Sequence, residues 1–286
     1  MAARLGRPAR CGRSARLGAA GRIERQSLRW MLARRSSNAR RKARARRVSA
    51  VSPFRRAVVI GASGGVGGAL ALALAEGGAD VSAFSRSGAA PAHPAIRAGR
   101  IDLLDEASIA TAARSLAEAG APDLVLVATG LLHGEGVQPE KTWRQIDPQA
   151  LARLFAVNAT GPALVAKHML PLLPREGRAA FAALSARVGS IGDNRLGGWV
   201  GYRASKAALN MIVQTLSLEL KRTHPEAFCV ALHPGTVETG LSAPFARNAP
   251  TVSPPTAADH LLRVLAGLTP EDSGGCFAWD GQRIAP

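Results

Sequence analysis

The sequence predicts an α/β fold: one doubly wound domain with a mainly parallel, seven-stranded sheet. Three observations carry that expectation. Short apolar runs alternate with longer helical segments from Ala57 onward, as a parallel sheet covered on both faces requires. The first run enters a cluster of glycines, Gly61 to Gly68, and leaves as an Ala/Leu-rich segment ending at Glu76, which reads as strand, tight turn and helix. The charge is partitioned as well: residues 1–56 hold 17 Arg and one Lys against Glu24, so the whole formal excess of +17 lies there. The remainder of the chain is neutral.

The head, residues 1–56, is rich in Arg, Ala, Gly and Ser and lacks a sustained apolar face, a composition expected to stay disordered. Three readings stay open for it. It is Arg-rich and acid-poor like an organelle transit peptide, which would place the protein in an organelle matrix. It is also basic like a nucleic-acid-binding arm, or it is translated sequence upstream of the true start. The folded part carries no net charge, so composition does not point to nucleic acid as a partner of the domain itself. Cys11, Cys229 and Cys276 show no disulfide or metal spacing, which suits a reducing, cytoplasmic compartment. No apolar run approaches the roughly 20 residues of a membrane span.

In chain order, strands are expected at 57–61, 80–85, 96–102, 124–129, 178–185, 228–233 and 276–279. Helices are expected at 65–76, 106–119, 148–173, 200–223 and 256–268. The turn at Gly61, Ser63, Gly65, Val66 and Gly67 is a candidate phosphate cradle. Glycines let the backbone come close to a pyrophosphate, and the free N–H groups at a helix start favour negative charge.

After the second strand comes Ser85-Arg86-Ser87, where such a fold meets an adenosine ribose. An acid there would suit the 2′-hydroxyl of NAD, whereas Arg86 with neighbouring hydroxyls suits the 2′-phosphate of NADP. Asp102 ends the third strand, where a carboxylate can accept from an adenine amino group. Asp105 and Glu106 suit the start of the next helix. Thr129 and Gly130 end the fourth strand, and Gly130 would let the backbone approach a cofactor.

Tyr202 and Lys206 are the pair with most chemical content. Spacing i, i+4 on a helix places phenol and ammonium on one face. A fixed positive charge there favours the phenolate and lowers the tyrosine pKa, so that Tyr202 can exchange a proton with an oxygen whose carbon exchanges hydride.

These features occur in one order: the Gly61–Gly67 turn, Asn158 in Phe155-Ala156-Val157-Asn158-Ala159, Ser185 at a strand end, Tyr202-x-x-x-Lys206, and His233-Pro234-Gly235-Thr236-Val237-Glu238-Thr239. Together they resemble the short-chain dehydrogenase/reductase family over residues 57–286, and residues 184–210 are most similar to its C-factor and carbonyl-reductase-like branch. The resemblance implies a Rossmann domain that binds NADP and acts on a small carbonyl or alcohol substrate. It implies Tyr202 as general acid/base and Lys206 as the group that holds the nicotinamide ribose. A serine would hydrogen-bond the substrate oxygen, and Asn158 would anchor a water in the proton relay. Pro234, Gly235, Val237 and Thr239 fall in the segment that lies against the nicotinamide. Residues 240–255 fall where the family has a mobile lid, and a homodimer or homotetramer built on the long helices is implied.

The chain departs from the family in two places. Where the family has Asn-Asn-Ala-Gly, this chain has Ala128-Thr129-Gly130, so Thr129 is expected to replace the amide that steadies the sheet. Where the family has a second serine, it has Ala186. Ser185 is the expected donor through a local backbone shift; Ser190 and a site with weak oxyanion support are the alternatives. His133, His168, His224 and His233 form no metal-ligand spacing.

Overall fold

The structure is a computed structural model that describes residues 52–134, 136–246 and 250–286. All but the last few residues of the basic head lie outside the described residues, so the readings of the head are not touched by it. Eight strands form one sheet: β1 (Arg56–Ile60), β2 (Asp80–Ser85), β3 (Ile96–Arg100), β4 (Leu124–Val127), β5 (Ala179–Leu184), β6 (Ala227–His233), β7 (Cys276–Ala278) and β8 (Arg283–Ile284). Their order is β3-β2-β1-β4-β5-β6-β7-β8, parallel throughout except for β8 against β7. The strand order reverses between β1 and β4, which opens a crevice at their carboxyl ends.

Among the described residues, six α-helices accompany the sheet: α1 (Gly65–Glu76), α2 (Glu106–Ala119), α3 (Pro148–Phe155), α4 (Gly161–Met169), α5 (Val200–Thr223) and α6 (Pro254–Gly267). Side chains alternate along a strand, and the two faces sort accordingly. Ala57 and Val59 join Leu70, Leu74, Leu261 and Leu265 under α1 and α6. Val58 and Ile60 join Ile109, Val165, Leu209 and Val213 under α2, α4 and α5. No helix among the described residues is long and apolar enough to cross a membrane.

Four expectations are corrected. The packed fold includes residues before Ala57: Phe54 is 2% exposed in the core, and the amides of Arg55 and Arg56 donate to Asp123. The eighth strand is too short for a periodic signal, since its two residues simply return from the turn at Gly281 (φ 82°). The single helix expected over 148–173 is interrupted by a π turn, Ala156–Thr160, at the position of Asn158. Such turns are rare and often mark functional sites. The last helix starts two residues early because Ser253 accepts from the amide of Thr256 and Pro254 takes the first turn.

Candidate active site

The glycine turn is packed to the limit of what a backbone allows. Gly61 has φ 92°, and a Cβ on Gly67 would lie 2.2 Å from the carbonyl oxygen of Gly61. A Cβ on Gly65 would come within 2.9 Å of Thr239 Cγ2, so the turn is brought against the segment 234–239. Ser63, Gly64 and Gly65 are exposed, Val66 is half-buried, and α1 begins without a side-chain cap or an acid in its first turn. Its first N–H groups are therefore open to an anion. Beside the turn, Thr129 Oγ1 is buried with no hydrogen-bond partner among the described residues. Thr129 thus does not steady the strand end. That task falls to Asn158, whose side chain accepts from Leu131 N and donates to Leu131 O, both at 2.8 Å.

A dinucleotide fits these residues: a cradle whose residues Gly61, Gly64, Gly65 and Gly67 carry no Cβ, and the buried hydroxyl of Thr129, lie at the switch point of the sheet. Arg86 is exposed just beyond β2, flanked by Ser85 and Ser87, whose hydroxyls are 3.4 Å apart. Asp102 is half-buried and accepts from the amide of Leu104.

At the other end of the crevice α5 carries Tyr202 and Lys206. Both are buried, at 8% and 2% exposure. Lys206 Nζ donates to Leu184 O at 2.7 Å and lies 5.9 Å from the centre of the Tyr202 ring. Asn158 Nδ2 donates to Ser205 Oγ at 3.0 Å, and a Cβ on Gly130 would sit 3.7 Å from Lys206 Nζ and 3.8 Å from Asn158 Oδ1. Gly130, Asn158 and Lys206 therefore converge. Gly189 lets the next loop settle on the same helix, since a Cβ there would meet Lys206 Cβ at 2.8 Å.

The pKa values depart from the simple expectation. Burial pushes the Tyr202 phenol up to about 12, and it pushes Lys206 down to about 8, partly offset by the Cys276 thiol. Desolvation outweighs attraction because the ammonium is turned to Leu184 O and does not touch the phenol. The result is a protonated phenol at neutral pH.

Ser185 is placed differently from expectation. Its backbone N–H continues the ladder to Leu232 O, so its side chain follows Phe181 and Ala183 onto the α5 face. There its hydroxyl donates to Asn210 Oδ1 at 2.7 Å. Ala186, one residue on, packs against the apolar cluster that contains Leu131, Leu132 and Tyr202. Ser190 is spent elsewhere, donating to Pro286 O and accepting from Asp193 N. No described side chain hydrogen-bonds the Tyr202 hydroxyl.

Over Tyr202 lies an aromatic wall that the sequence did not announce. Trp199 meets Tyr202 edge-on at 6.3 Å, Phe245 meets Trp199 at 5.2 Å, and His133 meets Phe245 at 5.4 Å. His133 Nε2 is also 3.0 Å from Gly240 O. The segment that carries Phe245 is tied back by a bridge between Val237 and Val252, and the Ser242 hydroxyl donates to Val237 O. Near the ring end of the crevice, Gly235 has φ 80° and lies under Trp279. Pro234 completes that turn. Only the fold brings His133, Trp199 and Phe245 together, because the three are far apart in the chain.

Comparisons with known proteins agree with this geometry. The sequence pattern of the short chain dehydrogenase family matches residues 55–249. The C-signal protein of Myxococcus xanthus is 41% identical over 140 residues, covering 49% of this chain and 80% of that protein. A 1-hydroxy-2-glutathionyl-2-methyl-3-butene dehydrogenase of Rhodococcus sp. (strain AD45) is 31% identical over 227 residues, covering 78% of this chain and 96% of that protein. The structure of an NADPH-bound carbonyl reductase from chicken fatty liver superimposes with a TM-score of 0.74 at 27% identity, over 85% of this chain and 98% of that one. The glycine turn, the Tyr202/Lys206 face and a family pattern that spans more than half of the chain lead to one conclusion: the chain belongs to the short chain dehydrogenase family.

Proposed function

We propose that the protein is an NADP-dependent oxidoreductase that interconverts a small carbonyl compound and its alcohol, with Tyr202 as general acid/base. The observation that supports this most is the convergence of Tyr202, Lys206, Asn158 and Gly130 at the carboxyl end of β4 and β5. The Gly61–Gly67 turn and the α1 N-terminus would hold the pyrophosphate. Arg86 would hold the 2′-phosphate, Asp102 the adenine, and Lys206 the ribose next to the nicotinamide. Pro234, Gly235, Val237 and Thr239 would lie against the nicotinamide itself. NADP is supported by the related structures bound to it, those of chicken fatty liver carbonyl reductase and of a Burkholderia multivorans dehydrogenase/reductase.

When bound, the cofactor supplies the hydride for reduction and accepts it in oxidation. Tyr202, protonated at neutral pH, gives its proton to the carbonyl oxygen. Lys206 lies beside the phenol and Asn158 holds the loop after β4, so a proton can be returned from the solvent side. Positioned acid/base groups contribute roughly 100- to 10,000-fold. Tyr202→Phe is therefore expected to lose at least about 100-fold in kcat while it still binds NADPH. Wild-type turnover by that variant would refute the mechanism.

A second reading is favoured by Ala186 and by the likeness to C-signal: a cofactor-binding signalling protein with little turnover. NADPH binding without turnover of a broad panel of aldehydes, ketones and alcohols would select it over the first.

A further inference from the structure

Glu140 comes from the loop between β4 and α3 and is only 4% exposed. A buried carboxyl needs partners. Both of its oxygens face one backbone N–H, that of Gly201, at 3.1 and 3.3 Å. Its own carbonyl oxygen accepts from Trp199 N at 2.6 Å. α5 has no side-chain cap of its own and no acid in its first turn. A residue 61 positions earlier thus supplies the acceptors that the start of the helix lacks, where its dipole favours them.

The surrounding residues are shaped for this contact. A Cβ on Gly201 would lie 3.0 Å from Glu140 Oε1 and 2.6 Å from Leu154 Cδ1, so only glycine leaves room for the carboxyl. Trp199, at φ 52° and ψ 42°, is the sole non-glycine residue with positive φ among the described residues, a conformation that side chains disfavour. The bond from its amide to Glu140 O holds it there, with its ring against Tyr202. Tyr202 directly follows Gly201.

We propose that Glu140 is a positioning residue which clamps the first turn of α5 by its carboxyl and its carbonyl and so fixes the Tyr202 phenol at the reacting oxygen. The proposal rests on the acid/base reading of Tyr202. The clamp spans the loop after β4, the catalytic helix and the aromatic wall.

Tyr202 is the only tyrosine in the chain, so protein labelled with 13C at the hydroxyl-bearing ring carbon of tyrosine gives one resonance that reports its setting without cofactor or turnover. Glu140→Gln keeps an acceptor for Gly201 and is expected to retain the native resonance and near-native kcat. Glu140→Ala leaves that amide unpaired. Its resonance is expected to shift or broaden and its kcat to fall about 100-fold, the scale of a misplaced reacting group. Substrate KM and the NADPH dissociation constant should change little. If circular dichroism shows that the alanine variant is unfolded, Glu140→Asp, one methylene short, carries the test and should displace the same resonance. Native resonance and turnover in the shortened variants, or equal loss in glutamine and alanine variants, would overturn the clamp. Failure of the reaction itself looks different: Tyr202→Phe would turn over normally while the tyrosine resonance of Tyr202-containing protein still responded to Glu140.

Discussion

The hydroxyl of Ser185 donates to Asn210 Oδ1 across 2.7 Å, and this bond ties the end of β5 to the middle of the helix that carries Tyr202. Ser185 is thereby tied to α5, and Ala186 packs against the cluster that contains Tyr202. Ser185→Ala should lower stability by about 1–2 kcal/mol, the range for a buried hydrogen bond whose partner is left behind, with kcat within about threefold of wild type. Ala186→Ser should raise kcat on simple ketones by about 10-fold or more, because one positioned donor contributes roughly 100-fold or more where it is native. Urea unfolding and steady-state kinetics on both variants check the pair. A large loss of kcat in Ser185→Ala at unchanged stability would return the catalytic hydroxyl to Ser185.

Arg86 follows β2 at the surface, between Ser85 and Ser87. Arg86→Ala should weaken NADPH binding by about 10-fold or more, the equivalent of about 1.4 kcal/mol or more for a charge-assisted contact. NADH binding should change little. Fluorescence titration with both cofactors measures the ratio, and an unchanged ratio would remove Arg86 from the site.

The Gly61–Gly67 turn admits no added methyl group at its crossing point. In Gly67→Ala the new Cβ would have to occupy space 2.2 Å from Gly61 O, and 2.8 Å from Gly61 C. Both contacts are with backbone, so the turn itself must shift. A loss of about 3 kcal/mol in stability is expected, at the upper end for single substitutions, together with a weaker NADPH complex. Thermal unfolding with and without NADPH separates the two effects. A variant with native melting temperature and native affinity would contradict the packing described.

Much of this arrangement was legible in the chain because it rests on local rules. The glycine turn, α1, α2 and α5 follow from residue type and period, and Tyr202 and Lys206 follow from a spacing of four on a helix. Strand ends were less legible, since one residue decides which face a side chain meets. That is how Ser185 came to be expected as the donor to the substrate oxygen when its place in the ladder turns it to Asn210. The π turn at Asn158 was hidden because its five residues include no glycine or proline to mark a break in the helical pattern. Glu140 gave no signal at all: it is a lone acid in a loop, and its role exists only where that loop meets a helix that begins 60 residues later. Contacts of long sequence separation are the part that periodicity and spacing do not encode.

His233 makes a prediction about acid stability. It ends β6, and its Nδ1 is buried with no partner among the described residues. Burial pushes its pKa down to about 4, with Arg187 acting in the same direction and Asp280 against it. In the unfolded chain the imidazole has its ordinary value near 6.5. Between those two values the unfolded state binds the proton and the folded state does not, so stability rises with pH across the window. The contribution is complete above about 6.5 and is lost as pH falls through about 4. At pH 4.5 the loss should be on the order of 2 kcal/mol relative to pH 7. Glu106 is held below its usual range by Lys167 and His168, so it pulls the same way; the readout is therefore the difference between wild type and His233→Asn. Urea midpoints at pH 7 and pH 4.5 should show the variant losing less on acidification than the wild type by that amount. Equal losses in the two proteins would assign the acid sensitivity to other groups.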